Sequence, residues 1–133
     1  QTCALPIWEI PYARLIGMSC IPIGNSLLFT LPPNQSNIGN TTLPALHGGV
    51  IAGFMEMSAS LHLLLTQNTT TVPKVIDFAI DYLSPGRLQE SYAECRVIRQ
   101  GKKIINVSVT AWQDYKEKPM ATARVHLLLQ PAT

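Results

Sequence analysis

The stretch that opens His47-Gly48-Gly49 and runs on from Val50 to Leu65 holds no proline and is almost wholly apolar. It reads as a helix of about five turns at ~3.6 residues per turn. Apolar on nearly every side, such a helix belongs in a core, with the rest of the chain folded around it. Its apolar-dominated part is about 16 residues long and carries Glu56 and His62, short of the ~20 residues that span a membrane. A single carboxylate in the middle of a core helix needs a reason.

On a wheel advancing ~100° per residue, Gly49, Ala52, Gly53, Ala59 and Ser60 fall within roughly 60° of Glu56. Ile51, Phe54, Leu61 and Leu65 fall on the opposite side. Glu56 thus sits in a stripe of small residues. Helix-interior glycines cost about 1 kcal/mol each relative to alanine, so propensity does not account for them. Close approach by a ligand, a partner helix or another backbone does.

His47-Gly48-Gly49 offers unpaired backbone N–H groups at the positive end of the helix dipole. Such an end receives an anion or a developing oxyanion, and glycine lets a ligand come close. Taken alone, His47 is either a cap for these groups or a functional side chain. With the two glycines and Glu56 in register, the functional reading is favoured. Glu56 lies nine residues after His47, roughly 13 Å at ~1.5 Å per residue. One chain cannot bring both to one reacting carbon. A symmetric partner, laying its own helix alongside, can.

The chain's 133 residues suit one domain with one core. A hydrophobic fraction of 47% against 14% charged residues favours an oligomer that covers apolar surface. The formal net charge of +2 gives no basis for nucleic-acid or membrane binding. Cys3, Cys20 and Cys95 show no Cys-x-x-C spacing, so buried thiols in a reducing compartment are expected. No signal peptide is visible, and the cytoplasm is the expected location. No metal is expected, because no His/Cys/Asp/Glu group has ligand spacing. The absence of Gly-x-Ser-x-Gly argues against a serine-triad hydrolase. His62 reads as a packed structural residue, and His126 as a solvent or interface one.

Residues 1–12 show no settled period and read as an N-terminal extension to a single domain over 13–133. Two apolar runs, Arg14–Ile21 and Ser26–Leu31, flank Pro22-Ile23-Gly24-Asn25 and predict a hairpin. Residues 32–46 form a long polar loop whose prolines and asparagines exclude regular structure. After the helix come four strand-like stretches: Lys74–Leu83, Leu88–Arg99, Lys103–Asp114 and Pro119–Leu129. In the first, Ile76, Phe78, Ile80 and Tyr82 share a face opposite Asp77, Ala79 and Asp81. Short turns at Ser84-Pro85-Gly86, Gln100-Gly101 and 115–118 predict an antiparallel meander. The architecture is α+β, an antiparallel sheet wrapped around one long central helix.

His-Gly-Gly, an apolar run, an acid nine positions after the His, Asp81-Tyr82-Leu83-Ser84-Pro85-Gly86 and Gln100-Gly101-Lys102 together resemble the hotdog-fold acyl-CoA thioesterases of the PaaI-like, phenylacetate-pathway type. The resemblance covers roughly 11–129 and implies the hotdog fold. It also implies hydrolysis of an acyl-CoA thioester to free acid and coenzyme A, with the thioester as substrate and no separate cofactor. The Gly48 or Gly49 N–H would polarise the carbonyl, and Glu56 would act as general base or nucleophile. Many members place an Asn shortly before the His. By spacing that position is Thr41 here, and Asn40, one residue earlier, is the candidate, a turn-forming Asn being the alternative. Arg87, Arg99, Lys102 and Lys103 at two strand turns are candidate contacts for the coenzyme A phosphates, against solvated turn charge. The resemblance further implies a homodimer or homotetramer with sites at the subunit interface. Two alternatives stand beside it: a hotdog enoyl-CoA hydratase or dehydratase, and a non-catalytic acyl-CoA-binding module.

Overall fold

The computed structural model describes residues 11–34, 37–40, 45–67 and 71–129, with the backbone alone at 39–40. In chain order the elements are α1 (Pro11–Ile16), β1 (Ser19–Ile23), β2 (Ser26–Leu31), β3 (Ile38–Asn40), β4 (Ala45–Leu46), α2 (Gly48–Thr66), β5 (Lys74–Tyr82), β6 (Ser91–Gln100), β7 (Ile104–Trp112) and β8 (Ala121–Leu128). Six strands form one antiparallel sheet in the order β1-β2-β6-β7-β8-β5, and β3 pairs with β4 separately.

The sheet curls around α2, the expected hotdog arrangement. Alternation along β7 and β8 turns Ile105, Val107, Val109, Ala123, Val125 and Leu127 inward. Against them α2 buries Ile51, Phe54, Met55, Ala59, Leu61 and Leu63. Gly86 packs against Ile51 near the start of α2, and Gln100 Nε2 donates to Gln67 Oε1 (2.7 Å) at its end. The helix therefore crosses the sheet from the β5–β6 connection to the β6–β7 turn. By length and composition alone its 19 residues would serve as a membrane span. Its seat inside the sheet makes it the core helix.

Three details depart from the sequence expectations. Arg14–Ile16, expected as strand, belongs to α1, and the strand begins only at Ser19. Pro11 suits the first helical position, Ala13 and Ile16 bury one helical face, and Gly17 ends the turn at φ 79°. Both Gly17 N–H (3.1 Å) and Met18 N–H (3.2 Å) donate to the Ala13 carbonyl there. Second, the polar loop is not wholly irregular, since β3 and β4 pair within it.

Third, β5 does not continue the meander. It pairs with β8 at the far edge, while β6 pairs with β2 and β7. The connection is the whole of 83–90 rather than a three-residue turn. It is pinned on the way by Leu46 N–H to Gly86 O (2.8 Å) and Arg87 N–H to Gln113 Oε1 (2.9 Å). A bulge between Val75 and Asp77 also shifts the strand's alternation. Val75, Phe78 and Ile80 pack on the core, whereas Ile76 is 47% and Tyr82 52% exposed.

Phe54 is fully buried in the core. Phe54→Ala should cost about 3–5 kcal/mol of unfolding free energy, read from the shift of a urea unfolding curve.

Candidate active site

The start of α2 is built by an accounting of backbone donors. His47, in extended conformation (φ −61°, ψ 130°), is the N-cap, and its Nδ1 accepts from Gly49 N–H at 2.9 Å. An accepting Nδ1 carries no proton, so the ring proton of the neutral imidazole lies on Nε2. Val50 N–H (2.9 Å) and Ile51 N–H (3.2 Å) both donate to the His47 carbonyl. His47 N–H reaches Asn37 O at 2.8 Å, tying the helix start to the preceding loop. Gly48 N–H is the first-turn donor without an acceptor among the described residues. Of the two expected oxyanion donors, Gly49 is therefore engaged in the cap and Gly48 is available.

Tyr82 adds a second tie, donating from its hydroxyl to Gly48 O at 2.7 Å. Each glycine has its own neighbour. A Cβ at Gly49 would lie 3.0 Å from His47 Nδ1, and one at Gly48 3.4 Å from the Tyr82 hydroxyl. Beside this corner lies a hollow of about 390 Å³ walled by Leu46, Ile51, Leu83 and Pro85, with Gly48 and Tyr82 at its rim. Ser84 and Pro85 also line a neighbouring cleft of about 440 Å³ that carries Arg87, Lys118, Gln113 and Tyr115. Gln113 fixes the Arg87 backbone reciprocally, accepting from its N–H and donating to its carbonyl, both at 2.9 Å.

Glu56 is half-buried on α2 and has no hydrogen bond or ion pair among the described residues. Eight residues of helix hold it about 12 Å from Gly48, so the two do not meet within one chain. The stripe of small residues is only partly open: Ala59 and Ser60 are buried, while Gly49 is exposed and Ala52, Gly53 and Glu56 are half-buried. At Gly53 the close approach is made by Tyr12 of α1. A Cβ there would lie 2.4 Å from Tyr12 Cε2 and 2.6 Å from its hydroxyl oxygen. Burial raises the Tyr12 pKa above its ordinary value, and the charge of Glu56 adds to the rise.

Tyr12, in the stretch that the sequence reads as an N-terminal extension, belongs to α1, where Pro11 and the spacing of Ala13 and Ile16 mark a helical turn. Asn37, in the polar loop, has no part in the sequence expectations. It is 6% exposed, and its Nδ2 has no partner among the described residues. The Asn40 expectation concerns a side chain outside the described residues, and Cys3 lies outside them too.

Arg87, Arg99, Lys102 and Lys103 do not gather at one place. Arg87 precedes β6 and the other three lie at its far end, about 30 Å away at ~3.3 Å per residue. A turn position says nothing about which end of the sheet it occupies. Lys118, absent from that set, shares the cleft with Arg87. His62 packs as expected: burial lowers its pKa, opposed by the Glu94 carboxylate. His126 sits on the outer surface with Nδ1 3.5 Å from Asp77 Oδ2. Among the described residues no group of three His, Cys, Asp or Glu side chains is placed to hold a metal.

Comparison with known proteins places this geometry in context. Residues 43–119, more than half the chain, match the family model described as Thioesterase superfamily. The medium/long-chain acyl-CoA thioesterase YigI of Escherichia coli strain K12 is 29% identical over 112 residues, 74% of this chain and 72% of the relative. A crystal structure of a Chromobacterium violaceum protein superposes with TM-score 0.80 at 40% identity, covering 98% of this chain and 90% of that one. A phenylacetic acid degradation-related protein from Ralstonia eutropha JMP134 superposes with TM-score 0.79 at 16% identity, covering 96% and 99%, and so shares the fold.

The cap makes its own prediction. His47→Ala frees the Gly49 N–H and should destabilise the protein by about 1 kcal/mol, whereas His47→Asn, which can accept the same bond, should cost only a few tenths. Thermal or urea unfolding of the two variants distinguishes them.

Proposed function

The chain belongs to the thioesterase superfamily and is a thioester hydrolase, and from that premise we propose that it hydrolyses acyl-CoA thioesters at a site shared between two copies of the chain. The observation that carries this reading is the Gly48 N–H, without an acceptor among the described residues, at the positive end of α2 and on the rim of an apolar hollow. There it can donate to the thioester carbonyl oxygen as negative charge develops. Glu56 of the neighbouring copy takes a proton from water while the water oxygen bonds to the carbonyl carbon. As the tetrahedral intermediate collapses, the C–S bond breaks. The thiolate of coenzyme A leaves and recovers the proton from Glu56.

Three observations support the shared site. Helix geometry separates Gly48 from Glu56 in one chain. β5 is an edge strand whose outer side is unpaired among the described residues. Ile76, Tyr82 and Leu83 stand exposed along and just beyond it, apolar surface that a second copy can cover. The leucine- and proline-lined hollow suits a hydrocarbon acyl group, the class named for the YigI relative. The adjoining cleft is lined by Arg87 and Lys118, with Asp114 among them, and its two cations support contact with the phosphate groups of coenzyme A. No further cofactor enters this mechanism.

Hydrolysis of a panel of acyl-CoAs, run beside enoyl-CoA hydration, separates this reading from a hydratase and from a binding module. Glu56→Gln should lower turnover at least ~10²-fold in a folded protein. Undiminished hydrolysis would remove Glu56 from the chemistry.

Sharing is tested with Glu56→Ala and Gly48→Pro chains, each inactive alone. Proline is tolerated at a first helical position, and the extended His47 before it is compatible with a following proline. Gly48→Pro thus removes the one donor with little else disturbed. Co-expressed heterodimers purified through two tags should regain up to half of wild-type activity per dimer. Heterodimers as inactive as their parents would show that each chain works alone.

A further inference from the structure

Tyr12 and Glu56 come from elements far apart in the chain, and α1 rests on α2 with Tyr12 against the side of the helix that carries Glu56. The phenol tip lies so close over Gly53 that any Cβ there would overlap both the ring and the hydroxyl. Gly53 is one helical turn before Glu56, on the same side of α2. The carboxylate's charge is felt at the phenol, yet the two do not bond to each other. Neither side chain has another hydrogen-bond partner among the described residues. Tyr12 stays 36% exposed, so the region remains open on one side.

A phenol O–H seated on Gly53 and a carboxylate one helical turn further along the same side of α2 can share one water and orient it. The water accepts from Tyr12, donates to Glu56, and keeps a second lone pair free for attack. We propose that Tyr12 is a positioning residue for the hydrolytic step: its hydroxyl, seated on Gly53, orients the water from which Glu56 takes a proton. Tyr12 keeps its own proton throughout. The role rests on the thioesterase reading with Glu56 as base, and it accounts for Gly53 as the residue that admits the phenol tip.

The test uses the whole chain and the best acyl-CoA found for the wild type, with Tyr12→Phe, Gly53→Ala, the double variant and Glu56→Gln compared. Tyr12→Phe keeps the ring and removes only the hydroxyl. Its kcat should fall roughly tenfold, the effect of one lost hydrogen bond in the transition state, with KM and the unfolding midpoint unchanged. Gly53→Ala keeps the hydroxyl but displaces it, and should lose kcat similarly. The double variant should be no worse than either single one, because both act through the same atom. Wild-type kcat in Tyr12→Phe, beside an impaired Glu56→Gln, overturns the Tyr12 role and leaves the thioesterase reading intact. A raised KM or lowered unfolding midpoint without a loss of kcat also overturns it, since that marks a wall or packing role. Full activity in Glu56→Gln removes Glu56 from the chemistry and overturns the Tyr12 role with it, while hydrolysis of the thioester itself stands.

Discussion

Burial of α2 inside the curled sheet is the constraint from which the rest follows. A helix apolar around most of its circumference has no stable place at a surface, so the sheet must cover it from several directions. That demand explains why β7 and β8, the strands with the most regular inward alternation, lie between β6 and β5 in the sheet. It also explains why β5 crosses to the far edge rather than folding back on β6. With β2 and β7 on its two sides, β6 has no free edge left for it.

A helix held that firmly is a ruler. Its first turn is fixed by ties from three directions: Asn37 on the loop before it, the Gly86 carbonyl through Leu46, and Tyr82 on β5. Each tie satisfies or immobilises a polar group, and His47 satisfies one more by capping Gly49. Among the described residues the Gly48 N–H is what remains of that accounting, held in place with no reorganisation needed to use it. The same rigidity keeps Glu56 two turns away. A protein that uses both groups in one reaction must recruit the second from another copy, and the unpaired outer side of β5 is the edge on which a copy can add.

Neighbouring loops extend the site beyond the helix. The β5–β6 connection runs past the start of α2, lends Ser84 and Pro85 to both hollows, and presents Arg87 opposite Lys118. Gln113 holds this connection by bonds to backbone rather than to the guanidinium, so the charge on Arg87 is left for another partner. On the other side, α1 brings Tyr12 onto the small-residue side of α2.

Local features of the chain by themselves determined the core helix, the two glycines at its start, the position of Glu56 within a stripe of small residues, and the existence of β2 and of β5 to β8. Each of these depends on neighbours a few residues apart, where periodicity and propensity act. Tertiary structure alone decided which edge β5 joins and that Arg87 and Lys103 lie at opposite ends of the sheet. It alone placed the phenol of Tyr12 over Gly53. An apolar run such as 14–21 suits helix or strand equally until something is packed against it, and a turn does not reveal how far its flanking loop will travel. Those outcomes depend on contacts between residues tens of positions apart, set by how the sheet closes over one apolar helix.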